Sequence, residues 1–275
     1  MNVMDTNFFK KYIDMADDGD RMGWHERNGG NFTYWIKQEE IESIRDELSK
    51  EGKWMPIGTC VKDLAKEYFL ISGTGKYFHN MKKDSMHTVG IIEIDEKGEQ
   101  YRICWGLLDG GKPTSEMPTH LMNLEVRKNM TNSEERVIYH AHCPNLIALT
   151  FLLPLKDEVF TRELWEMMTE CPVIFPEGVG VVKWMVPGGK DIAVATSKKM
   201  ENYRAVIWAH HGLFCSGIDF DSTFGLMHTI EKSAEIYIKV HSVQTKKAQS
   251  ITPDDFRQLA KEFHVTLDER FLYEK

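Results

Sequence analysis

Hydrophobic positions along this chain recur at two different spacings, and each spacing predicts a different element. Val89-Gly-Ile-Ile-Glu-Ile94 and Tyr101-Arg-Ile-Cys-Trp105 are rich in β-branched and aromatic residues and flank Asp95-Glu-Lys-Gly98. Such side chains favour extended backbone and the polar break favours a reversal, so the pair predicts an antiparallel hairpin. Arg136–His142 reads as another strand, ended by Pro144, with a buried helix over Asn145–Leu153 after it. Ala205-Val-Ile-Trp208 and Leu213-Phe-Cys215 read as two strand pieces broken at Gly212.

Helical spacing accounts for most of the rest. Ile41, Ile44 and Leu48 give a thin apolar edge to a charged, peripheral helix, and Glu163–Glu170 reads as a short helix stopped by Pro172. Phe224, Met227, Ile230, Ala234 and Ile238 form a core-facing stripe over Asp221–Val240. After the polar stretch His241–Ser250, Thr252-Pro-Asp-Asp255 combines a hydroxyl to accept free N–H groups, a proline that needs no hydrogen bond, and acids at the positive end of the helix dipole. A final helix starts there, with Phe256, Leu259, Ala260 and Phe263 as its packing face.

Strands and helices alternate without a repeat, a low-complexity tract or a linker, so residues 1–275 read as one α/β domain. Hydrophobic residues make up 42% and charged residues 28% of the chain, which is enough apolar material for a core and argues against disorder. The formal net charge of −8 removes the basic surface that nucleic-acid binding needs. No membrane span is expected, because the longest apolar run, Leu146–Leu153, is far short of the roughly 20 residues that cross a bilayer. Met1–Asp20 is amphipathic and acidic, without the features of a secretory leader, and the five scattered cysteines include no C-x-x-C pair. Both point to the reducing cytoplasm, with all five cysteines as small buried hydrophobes.

Candidate chemistry begins with His140 and His142. Separated by one residue on a strand, their imidazoles leave the same face of the sheet and can reach one ion. A catalytic zinc commonly takes three protein ligands, and His210 or His211 can supply the third. His211 is the choice, because Gly212 suits a strand interruption that aims its neighbour into a pocket.

Three segments are dense in glycine, amide and hydroxyl residues: Asn28-Gly-Gly-Asn31, Ser72-Gly-Thr-Gly-Lys76 and Pro113-Thr-Ser115. Each can present small donors to a phosphate. None matches a nucleotide fingerprint, since Leu70 and Tyr77 stand where a P-loop takes glycine and serine or threonine, and Phe78 stands where a dinucleotide loop takes its last glycine.

Together with Glu26, Glu116, Thr169-Glu170, Trp184-Met-Val-Pro-Gly188 and His211-Gly212, these motifs resemble the class II, zinc-dependent sugar-phosphate aldolase family over nearly the whole chain, nearest its L-rhamnulose-1-phosphate branch. The resemblance implies a single domain with a central, mostly antiparallel β-sheet flanked by α-helices. It also implies a homotetramer with active sites between subunits and one Zn²⁺ per subunit. The implied reaction is reversible cleavage of L-rhamnulose 1-phosphate into dihydroxyacetone phosphate and L-lactaldehyde through a metal-stabilised enediolate. Carried over by motif, His140, His142 and His211 are the zinc ligands, and Glu116 is the catalytic carboxylate. Asn28, Gly30, Asn31, Ser72, Gly73, Thr74, Thr114 and Ser115 are the phosphate-binding surface, and Glu170 is a second carboxylate contributed by the adjacent subunit. Zinc chemistry needs no lysine Schiff base, so Lys76 is left to anion contact or solvent. By position alone, Glu116 also fits the cap of a helix beginning near Pro118. Runner-up activities are cleavage of L-fuculose 1-phosphate, a sugar-phosphate 4-epimerase on the same zinc site, and a noncatalytic adducin-head-like interaction domain.

Overall fold

The computed structural model of the chain describes residues 1–243 and 247–273, so residues 244–246 of the polar stretch lie outside those described. Among the described residues nine strands, β1 (Asn31–Trp35), β2 (Met55–Pro56), β3 (Tyr68–Ser72), β4 (Val89–Ile94), β5 (Gln100–Gly106), β6 (Val137–Ala141), β7 (Gly180–Val182), β8 (Ala205–Trp208) and β9 (Gly212–Gly217), join in one sheet. Their order is β2-β5-β4-β3-β1-β6-β9-β8-β7, and every neighbouring pair is antiparallel except β7–β8. The mostly antiparallel sheet expected above is therefore present, and its β4–β5 hairpin pairs Ile91 with Trp105 and Ile94 with Tyr101.

Among the described residues ten α-helices accompany the sheet: α1 (Asn7–Arg21), α2 (Gln38–Ile44), α3 (Ser85–Thr88), α4 (Met117–Met130), α5 (Pro144–Leu152), α6 (Asp157–Trp165), α7 (Cys171–Ile174), α8 (Lys190–Met200), α9 (Phe220–Val243) and α10 (Pro253–Phe263). Because side chains alternate across a strand, β6 feeds both layers. Tyr139 and Ala141 pack among residues of α1, α5, α6 and α9, while Ile138 packs on the opposite face among Leu121, Leu124, Ile192 and Phe214. Helix α4 is fastened to this second face at its far end, where the buried Arg127 guanidinium donates to both carboxylate oxygens of Glu135.

Several elements differ from the sequence expectation. Helix α5 is not buried along its length, for Phe151 is 70% exposed. The helix expected over Glu163–Glu170 begins earlier and ends at Trp165, and Pro172 opens α7 instead of stopping its predecessor. A residue without an N–H fits a first turn, where that group has no intrahelical acceptor. The break before β9 lies at His210, whose φ is +61°, and not at Gly212. Thr150 steadies this turn, its Oγ accepting from the His210 backbone N–H at 3.0 Å. Thr252 caps α10 with Asp255 as expected, but Phe256 is the residue fully buried while Phe263 is exposed. Four cysteines are buried, and Cys60 is exposed, contrary to the expectation for all five.

Candidate metal centre

Strand β6 delivers His140, and the turn after it delivers His142; β9 pairs beside β6 with Phe214 opposite His140, which brings His211 to the same place. The three rings form a nearly equilateral triangle, with centroids 5.2, 5.0 and 4.9 Å apart. One nitrogen from each lies within 4.8 Å of the other two. His210 is not part of this triangle: its ring nitrogen meets the Thr150 hydroxyl at 3.0 Å and its ring lies against Phe151.

The hydrogen bonds behind the triangle determine which nitrogens face inward. Nδ1 of His140 donates to the Leu213 carbonyl at 3.0 Å, leaving Nε2 as a lone-pair nitrogen that is buried and without a partner among the described residues. A buried polar atom left so costs roughly 1–3 kcal/mol, which a bound cation would recover. His142 Nδ1 donates to Glu26 Oε1 at 2.7 Å, so its Nε2 is likewise the free nitrogen. Burial, then the neighbouring imidazoles, hold His140 well below its ordinary value, and burial followed by His142 brings His211 down to about 4. Three imidazoles turned toward one point, with His140 and His142 braced from outside by the Leu213 carbonyl and Glu26, make a donor set that suits zinc.

Glu116 stands beside this triangle, its Oε2 3.7 Å from His140 Nε2. It occupies the cap position of α4, yet its carboxylate caps nothing and instead accepts from the Asn31 amide at 2.9 Å. Burial raises its carboxyl above the ordinary range against the opposing pull of Asn31 and His142. Asn31 is held from its other side, where its carbonyl oxygen faces Nε2 of the buried His120.

The three donor-rich segments come together next to Glu116. Ser72 Oγ accepts from the Phe32 N–H at 3.2 Å, the Ser72 carbonyl accepts from the Thr114 N–H at 2.9 Å, and Thr114 Oγ accepts from the Glu116 N–H at 3.3 Å. The amides of Gly73 and Thr74 are likewise tied to the Thr88 and Lys112 carbonyls. Ser72, Gly73 and Thr114 thus frame the surface, and Asn28, Thr74 and Ser115 are its exposed side chains. Gly30 is required where it is, with φ +75° and the position of a Cβ only 2.4 Å from His25 Nδ1. Glu170 is not among these residues: it is exposed at the start of α7 and makes none of the site's hydrogen bonds.

Sequence reasoning gave no role to His25, His120 or Glu26 beyond a motif position. His25 bridges the Gly29 carbonyl and the Tyr139 hydroxyl while stacked on Phe78, and so shapes the loop from which Glu26 reaches His142. The one available signal was the glycine pair, since a Cβ on Gly29 would stand 2.8 Å from His142 Nδ1.

Residues 11–238 match the family model described as Class II Aldolase and Adducin N-terminal domain. The chain is 44% identical to the rhamnulose-1-phosphate aldolase of Mannheimia succiniciproducens, over 96% of this chain and 97% of that one. It is 41% identical to the enzyme of the same name from Listeria monocytogenes serovar 1/2a, over 96% of each. A solved sugar-phosphate aldolase from Thermotoga maritima superposes with a TM-score of 0.75 at 27% identity, covering 87% of this chain and 97% of that one. With its sheet, its extent and its sequence all matching, the chain belongs to the class II aldolase family and is an aldolase, a carbon–carbon lyase.

Proposed function

We propose that the chain is a zinc enzyme that reversibly cleaves L-rhamnulose 1-phosphate into dihydroxyacetone phosphate and L-lactaldehyde. The observation that carries the chemistry is the unpartnered His140 Nε2 inside the histidine triangle, with the Glu116 carboxylate 3.7 Å away. The substrate follows from relatives of that name at 44% and 41% identity over almost their full length. His140, His142 and His211 would hold the Zn²⁺, which when bound would supply Lewis acidity toward the negative charge left as the carbon–carbon bond breaks.

The chain's own residues do the rest. Asn28, Gly30, Asn31, Ser72, Gly73, Thr74, Thr114 and Ser115 line the phosphate side, and anchoring the phosphate there sets the reacting carbons against Glu116. Glu116, its carboxyl raised by burial, takes and returns the proton that moves between substrate and solvent. Glu170, outward on α7, serves the aldehyde side of a neighbouring copy's site in a homotetramer. Exposed apolar residues such as Phe151, Leu152, Trp184 and Val186 support assembly of that kind. We read residues 1–275 as one catalytic domain working in the cytoplasm; among the described residues, no helix is long and apolar enough to cross a membrane.

Glu116→Gln tests this reading: aldehyde release is expected to fall by about 10²–10⁴-fold with bound metal unchanged, and wild-type turnover would remove Glu116 from the mechanism. Chelation is expected to abolish cleavage and Zn²⁺ to restore it. Assaying ketose 1-phosphates for free aldehyde separates L-rhamnulose from L-fuculose 1-phosphate as substrate, and an epimerase would release none.

A further inference from the structure

Six buried side-chain polar atoms lack a hydrogen-bond partner among the described residues, and their placement follows a pattern. One is His140 Nε2, already placed at the metal site. The others are Nδ1 of His120, Nδ2 and Oδ1 of Asn123, Oγ of Thr33 and Oγ of Ser216.

The register sets Thr33 and Ser216 on either side of Ile138, on one face of the sheet, and His120 and Asn123 belong to the helix that covers this face. Across β1, β6 and β9, one row of the sheet reads Asn31, His140, Phe214, and the row two residues along reads Thr33, Ile138, Ser216. Members of such rows share a face, and Ile138 and Phe214 show it to be the face that packs against α4. Helix α4 runs along β6 in the opposite direction, from Glu116 beside His140 to Arg127 beside Glu135. His120 lies over the first row, touching Asn31 and set edge-on to Phe214 at 5.6 Å. Asn123, three residues further and therefore on the same helix face, lies toward the second row. Buried polar groups are normally satisfied, and where protein does not do so, ordered water with two to four polar partners does.

The bond pattern is mutually determined. Because the Asn31 amide nitrogen donates to Glu116, its oxygen faces His120, and His120 has to donate from Nε2 and leave Nδ1 as an acceptor. A rotated Asn31 would set oxygen against carboxylate.

We propose that His120 is a positioning residue of the cleavage site, fixing the Asn31 amide in the orientation that donates to Glu116, and is itself fixed by water buried between α4 and the sheet against Asn123, Thr33 and Ser216. The proposal rests on the reading of Glu116 as the proton-transfer group, and one arm of its test does not use turnover.

In that arm, ¹⁵N NMR of histidine-labelled wild-type protein, with His120 assigned by its loss in His120→Gln, is expected to show the Nε2–H tautomer at neutral pH. The Nδ1–H tautomer overturns the proposal whatever Glu116 does. In the kinetic arm, His120→Phe is expected to lower kcat on the order of 10–100-fold with KM and bound metal little changed. His120→Gln, whose amide nitrogen can replace Nε2, recovers most of it. Wild-type kcat in His120→Phe, or kcat falling only in step with lost metal, overturns the proposal. In a crystal structure, solvent bridging His120 Nδ1 and Asn123 is expected; a dry contact there overturns the second half.

Discussion

Glu26 and His142 lie 116 residues apart in the chain, yet their side chains meet at 2.7 Å, the carboxylate accepting from the imidazole Nδ1–H. This bond fixes the ring's rotation and tautomer, and with them the direction in which its other nitrogen faces. Glu26 itself is largely exposed, so the contact contributes little to folding and its effect falls on the ring.

Glu26→Ala is accordingly expected to weaken zinc binding on the order of 10–100-fold while leaving the thermal unfolding of the metal-free protein nearly unchanged. Competition against a chromophoric chelator measures this. Unaltered affinity would mean that the loop orients nothing.

Gly212 has ordinary backbone angles but no room: a Cβ there would stand 2.4 Å from the Ala141 carbonyl oxygen and 3.1 Å from His140 Cε1. The nearest obstacle is backbone, so β6 and β9 have to separate. Gly212→Ala is expected to cost about 1–3 kcal/mol, read from the midpoint of urea unfolding. A midpoint equal to wild type would show that the strands absorb the methyl group freely.

Acid should destabilise the protein well above the carboxylate range. Burial brings His25 and His120 from 6.5 to about 3 in the folded chain. Above pH 6.5 both rings are neutral whether folded or unfolded, and nothing is lost. As pH falls from 6.5 toward 3, the unfolded chain takes up protons that the folded chain refuses, so stability drops, by up to about 1.4 kcal/mol per pH unit for each ring. Urea titrations in excess chelator at pH 7.5, 6 and 5 measure the slope; a flat line between 6 and 5 contradicts it.

Much of the site was legible because strand alternation is a local rule. Strand alternation predicts that His140 and His142 meet, and their rings do lie 5.2 Å apart, although β6 ends at Ala141 and His142 stands just past it; the β4–β5 hairpin needed only its own residues. What was not legible depends on sheet order, which no local pattern carries. Glu26 meets His142, and Asn31 meets both Glu116 and His120, only because β1 lies between β3 and β6. His211 was chosen over His210 on the strength of Gly212, but the turn is made by His210 in a left-handed conformation, and the glycine answers to the close approach of Ala141. The position of Glu116 at the head of α4 suggested a cap, whereas its side chain turns away from the helix to a partner 85 residues distant. Proline misled once, since Pro172 can begin a turn of helix as well as end one.

The two rims of the sheet are β2, two residues long and ending in Pro56, and β7, three residues long. Neither offers a length of open backbone on which another chain could extend the ladder. Crowded copies of this protein thus have little exposed ladder at either rim on which to grow edge to edge into fibres.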